Sequence, residues 1–148
     1  MSASVFEDAL ALPDLFHWFG LIEADFNTWL KALPIRIHPG LVSFWRRTGG
    51  GSLFESETIL GPLVADEGEN VLEVNQAHWK NGLSPDMLVF HTGCCWSASY
   101  VDRRRHRNLI LSLKCGSYEI QQRFDTFSMW YENTLRIEYA KRYGLATD

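Results

Sequence analysis

The chain has 148 residues, a net charge of −4 from 14 Lys+Arg against 18 Asp+Glu, and six Trp, nine Phe and five Tyr. That length suits one domain with a sizeable core, and the aromatic content excludes a disordered chain, which needs low hydrophobicity. The mildly acidic balance supplies no overall drive toward nucleic acid or an anionic membrane, and it is compatible with a basic protein partner.

In chain order, Pro13-Asp14 opens a stretch to about Leu33 whose Leu15, Trp18, Phe19, Ile22, Phe26, Trp29 and Leu30 recur at spacings of three and four. This predicts an amphipathic helix, weakened at Gly20. Leu33-Pro34 breaks it, and Pro39 suits the first turn of a second helix running to about Thr48. Leu41, Phe44 and Trp45 form its apolar stripe. Gly49-Gly50-Gly51 then stops the helix and turns the chain into strand-like Leu53-Phe54 and Thr58-Ile59-Leu60, closed by Gly61-Pro62. The triple glycine does not cradle phosphate. No lysine lies between Lys31 and Lys80, and the glycines follow a helix where a phosphate loop precedes one.

Residues 65–70 form an acidic loop carrying Asp66, Glu67 and Glu69, and Val71 to Asn81 predicts a third helix stopped by Gly82. The second half reads as strands at Met87–His91, Trp96–Val101, Leu109–Leu113 and Tyr118–Phe124, linked by turn signals at Gly93, Asp102–Asn108 and Gly116-Ser117. Short links between consecutive strands argue for an antiparallel meander. A final helix spans about Thr126 to Tyr143, with Lys141 and Arg142 in its last turn and Gly144 beyond. The expectation is a single α+β domain over residues 1–148: a mainly antiparallel sheet of about four to six strands, a mixed sheet left open, packed against N-terminal helices and a C-terminal helix.

The N-terminus, Met1 to Asp8, has no basic region, so no secretory signal is expected, and no segment approaches the roughly 20 apolar residues of a membrane span. Cys94, Cys95 and Cys115 are an odd set without C-x-x-C spacing, and read as free thiols in a reducing cytosol. A cytoplasmic location follows as the expectation. His17, His38, His78, His91 and His106 form neither H-x-H nor H-E-x-x-H, so no metal or other cofactor is expected.

Three constellations remain as candidates for chemistry. His91-Thr92-Gly93-Cys94 invites a Cys/His pair, but adjacency in sequence does not supply the geometry of an activated nucleophile. It is read as a strand-end histidine beside semi-buried thiols. Glu55 and Glu57, two apart, would share one face of a strand and are read as an exposed turn edge. Arg103-Arg104-Arg105-His106-Arg107 falls in a hairpin loop and is read as a solvated turn, with phosphate or an acidic partner as the functional alternative.

Leu33-Pro34, Leu41–Gly51, Leu53–Pro62, Val74-Asn75, Gly82–His91 and Trp130–Gly144 together resemble the SUKH superfamily, the Smi/Knr-type domain, over about residues 33 to 144. The helix–glycine–strand element is the most diagnostic piece. The resemblance implies an α+β fold with a sheet packed against helices, and no enzymatic activity. It implies a bacterial immunity protein that binds and neutralises a cognate toxin, often a nuclease or another nucleic-acid-directed enzyme. The alternative is a regulatory scaffold like the fungal relatives. A phosphate binder or enzyme using the arginine loop stands third. Toxin contacts vary across that family, so no contact residues carry over from it, and the candidates come from a charged rim beside an aromatic anchor. They are Asp66, Glu67 and Glu69 beside Trp79, with Glu55 and Glu57 near the glycine hinge.

Overall fold

The computed structural model describes residues 4–145. Seven strands form one sheet in chain order: β1 (Phe16–Trp18), β2 (Gly51–Leu53), β3 (Glu57–Ile59), β4 (Met87–Thr92), β5 (Trp96–Asp102), β6 (Arg107–Leu113) and β7 (Ile120–Phe124). Every neighbouring pair is antiparallel. The only parallel pairing among the described residues is an isolated bridge between Gly61 and Asn70. The helices are α1 (Val5–Ala11), α2 (Glu23–Ala32), α3 (Pro39–Thr48), α4 (Val71–Lys80) and a C-terminal pair, α5 (Phe127–Tyr131) and α6 (Ile137–Tyr143), joined through a widened π-turn at 132–136. The single α+β domain is therefore as expected, with one strand more than the upper expected number.

The added strand comes from a stretch expected to be helical. Within 13–33, Pro13–Leu15 forms a short 3-10 turn, Phe16–Trp18 is β1, and only Glu23–Ala32 is α-helix. The physical reason lies in the glycines. Gly20 has φ +79, and its N–H donates to Thr48 O at 2.7 Å. Gly49 takes φ +75 as the left-handed cap of α3, and a Cβ there would sit 2.3 Å from Gly20 O. This close approach lays β1 on β2, with Phe16 opposite Leu53 and Trp18 opposite Gly51. The spacing of apolar residues matched a helix, but backbone pairing to a partner distant in sequence decided otherwise.

The sheet is buried on both faces, with side chains alternating between two clusters. Leu88, Phe90, Ile110 and Phe124 join Phe26, Phe44, Trp45, Trp130 and Tyr131 in the larger core. Met87, Val89, Ala98, Leu109, Leu111 and Leu113 form a smaller one with Leu83 and the partly buried Trp79, Trp96 and Tyr118. Helix α1, not foreseen from the pattern, is tied to the far end of the chain. Buried Asp8 accepts hydrogen bonds from Tyr131 Oη at 2.7 Å and Arg136 Nε at 2.9 Å.

Asn75 docks α4 onto the sheet. Strand β3 ends at Ile59, so β4 loses its backbone partner beyond Phe90, whose carbonyl accepts Leu60 N–H at 2.8 Å. The fully buried Asn75 amide takes over the next position. Its Oδ1 accepts Val89 N–H and its Nδ2 donates to Val89 O, each at 2.7 Å, while Nδ2 also donates to Val71 O. One side chain thus does for Val89 what a neighbouring strand would do. Asn75→Ala leaves a buried N–H and C=O without partners, a change expected to cost about 3 kcal/mol. Thermal unfolding should show this as a melting temperature lower by roughly 10 °C; a shift under about 2 °C would contradict it.

Candidate partner-binding surface and the buried polar node

The six residues expected at a partner surface do not come together. Glu55 lies in the β2–β3 turn, where Phe54 and Glu55 have φ +51 and +70, so it does not share a strand face with Glu57. Phe54 is held in this unfavourable conformation by burial and by stacking on Tyr139, with centroids 4.7 Å apart. Glu55 points to solvent, but Glu57 is 1% exposed and belongs to the interior. The reading of the pair as an exposed edge fails at Glu57. Trp79 is also withdrawn as an anchor: it is half-buried against both cores, and its Nε1–H donates to Met87 O at 2.8 Å.

What remains is the loop at the other end of β3. Asp66 and Glu67 are exposed and Glu69 is half-buried. None of them joins a salt bridge among the described residues. The loop is nonetheless pinned. Gly61 N–H donates to Glu69 O and Val71 N–H to Gly61 O, both at 2.9 Å. Asn70 Nδ2 donates to Val64 O, and Asn70 Oδ1 caps α4 by accepting Leu72 and Glu73 N–H. Asp66 Oδ1 accepts Gly68 N–H inside the loop. Leu63, a residue the sequence pattern did not single out, stands 41% exposed on the same loop. Nothing in periodicity marks an exposed leucine; only the loop's path reveals it.

Glu57 sits at the centre of a buried polar node. Its carboxylate accepts His91 Nε2–H at 2.7 Å, Tyr139 Oη–H at 2.6 Å and Cys94 N–H at 3.2 Å. Burial by itself raises its pKa, but the His91 and Tyr139 hydrogen bonds, the charge on His91 and the Cys94 N–H outweigh it and hold the carboxyl below its usual 4.5. Tyr139 is pushed up to about 12 by burial and by its bond to Glu57. On its other side, His91 Nδ1 lies 2.9 Å from Ser97 Oγ, which accepts Trp130 Nε1–H at 2.8 Å. Gly93 lies against the carboxylate so closely that a Cβ would come within 2.1 Å of Glu57 Oε1.

Ser97, His91 and Glu57 thus have the hydroxyl–imidazole–carboxylate order of a nucleophilic triad. All three are sealed, at 0%, 0% and 1% exposure, and the Trp130 indole caps the hydroxyl. No substrate atom reaches Ser97 Oγ in this conformation, so the arrangement ties β3, β4, β5 and the C-terminal helix together instead. His91 stands at the strand end as read from the sequence, fully buried and bonded to Glu57 and Ser97; of the thiols read as semi-buried, Cys95 is half-buried but Cys94 is exposed. Sequence offered no signal for the node, because its members lie 34 and 82 positions from Glu57.

The arginine loop lines a cleft of about 790 Å³ with Arg36, Arg103, His106 and Arg107, but Asp102 and Asp125 line it too. Arg103 is paired with Asp86 at 2.8 Å and Arg107 approaches Asp125 at 3.5 Å. The Asp102 carboxylate accepts the N–H groups of Arg104 and Arg105. The cleft is of mixed charge. Among the described residues, no group of three or more His, Cys, Asp or Glu is placed to hold a metal ion, and no helix is long and apolar enough to cross a membrane.

Comparisons with family models, with curated proteins and with solved structures found no match.

The node predicts a specific acid response. Because folding lowers the Glu57 pKa, its stabilisation is present above about pH 4.5 and is lost as pH falls through the folded value. Glu57→Gln should destabilise by about 3 kcal/mol at pH 7, since it disrupts a buried charged network. The gap to the parent protein should narrow as pH falls below 4.5 in denaturant titrations; a gap independent of pH would contradict the assignment.

Proposed function

We propose that this chain is a non-enzymatic, protein-binding domain that acts as an immunity protein, capturing and neutralising a basic toxin. The observation that carries the proposal is the pinned loop 61–70, on which Leu63 is exposed and Asp66, Glu67 and Glu69 join no salt bridge among the described residues. An exposed apolar residue with charged residues on the same surface loop is ordinary interface composition. Its hydrogen bonds hold the loop in place before binding, which reduces the entropy lost on association. Carboxylates outside salt bridges steer a basic partner, such as a nucleic-acid-directed enzyme whose cleft is built to receive phosphate. The burial of Ser97, His91 and Glu57 supports a structural role for the one triad-like set. The antiparallel sheet packed against helices is the kind of fold that the SUKH resemblance implies.

Co-expression with the product of the adjacent reading frame tests the proposal. Growth rescue and a stable complex are expected. Reversal of charge in Asp66→Lys/Glu67→Lys/Glu69→Lys should slow association at least about tenfold and flatten its salt dependence, because exposed rim charges act mainly on the encounter rate. Leu63→Ala should act mainly on dissociation. Neither rescue nor complex, or an association rate untouched by charge reversal, overturns the reading.

A further inference from the structure

The turn between β4 and β5 places two thiols side by side on the roof of the buried node. Cys94 Sγ and Cys95 Sγ are 3.9 Å apart, with Cys94 exposed and Cys95 half-buried. Ser112 Oγ donates to Cys95 Sγ at 3.8 Å from the facing strand β6. Cys115, just beyond the C-terminal end of β6, is exposed, with its Sγ 3.7 Å from Gly93 O. Neighbouring residues on a strand point to opposite faces, and these two do not. The three-residue turn at 93–95 has left strand geometry, so both side chains gather on one side.

We propose that Cys94 and Cys95 form a peroxide-reactive dithiol, in which Cys95 is the attacking thiolate and Cys94 the resolving thiol. The roles follow from the donors. Cys95 Sγ receives hydrogen bonds from the Cys94 thiol and Ser112 Oγ, and faces the Ser97 hydroxyl and the His91 ring beneath it. Cys94 is held in the opposite environment: its own N–H is bound to Glu57, whose negative charge lies below it. Thiolates are favoured by donors and cations and disfavoured by neighbouring anions. The ionisable groups facing the pair are Glu57 on β3, His91 on β4 and Tyr139 on α6. The Cys94 thiol bond is the largest influence lowering the Cys95 pKa, to about 6, against the opposing effect of burial. Cys94 is raised by the same bond, then by burial and the charges on Cys95 and Glu57.

The chemistry balances with a peroxide as oxidant. The Cys95 thiolate attacks one peroxide oxygen and the O–O bond breaks. Cys95 becomes a sulfenic acid, and the departing oxygen leaves as hydroxide or alkoxide and takes up a proton. The Cys94 sulfur, after losing its proton, then attacks the Cys95 sulfur and expels hydroxide, which leaves as water. The S–S bond joins adjacent residues, whose Cα atoms are about 3.8 Å apart across a trans peptide. That is below the usual disulfide spacing, so the product should be readily reduced again.

Iodoacetamide alkylation of the reduced full chain, followed by peptide mapping, tests the role of Cys95. Its labelling should have a midpoint near pH 6, against about 8.5 for an ordinary cysteine. The midpoint should rise in Cys94→Ala and fall back partly in Cys94→Ser, which restores a hydroxyl donor. With hydrogen peroxide, the peptide carrying both residues should lose about 2 Da, two hydrogens, reversibly with dithiothreitol. In Cys94→Ala, dimedone should trap a sulfenic acid at Cys95, while Cys115→Ala should change nothing. A Cys95 midpoint near 8.5, first oxidation at Cys94 or Cys115, or a disulfide that includes Cys115 overturns the proposal.

Discussion

A carboxylate cannot be removed from water without partners for its charge and lone pairs, and Glu57 is removed from water almost completely. Three donors meet that demand: the His91 ring, the Tyr139 phenol and the Cys94 backbone N–H. They come from β4 with the turn that follows it and from α6, so satisfying one charge fixes two separate pieces of chain around β3. Gly93 is required beside them because any side chain there would collide with the carboxylate. The same residues set the electrostatics under the two thiols. A structural solution to burial therefore creates the chemical asymmetry between Cys94 and Cys95.

Other polar anchors follow the same logic at different places in the fold. Asp8, Tyr131 and Arg136 tie the N-terminal helix to the C-terminal one. Asn75 completes β4 where β3 stops short. Trp45 Nε1 donates to Leu60 O and holds α3 on the chain leaving β3. No buried side-chain polar atom among the described residues lacks a partner. These bonds add little net energy each, but every one is costly to break because its partner would stay buried. They select one register and one helix placement from the many that hydrophobic patterning alone would accept. The pinned acidic loop lies next to this framework, since the bridge at Gly61 and Asn70 also opens α4.

Much of the architecture was legible because it is local. Pro39, the Leu41–Trp45 stripe and the following glycines mark α3 and its left-handed cap. Apolar or alternating runs between turn residues mark β4 to β7, and Gly144 marks the end of α6. Legibility failed where a distant partner overrode a local pattern. Phe16–Trp18 carried helical spacing but lies on β2. Glu57 carried the spacing of an exposed pair but faces inward, because the left-handed turn at Phe54 and Glu55 reverses the chain just before it. Trp79 had the character of an interface anchor but fills a gap between α4 and the sheet.

From the sequence by itself came the class of fold, the order of most elements, the acidic loop and the free thiols. Each depends on periodicity, capping, turn chemistry or charge, which act between residues close in the chain. Tertiary structure alone decided which carboxylates meet solvent, which histidine is locked, and that two neighbouring thiols differ in character. Those properties arise from groups such as Glu57, His91 and Tyr139, which are far apart in sequence and acquire their chemistry only when folding removes water from between them.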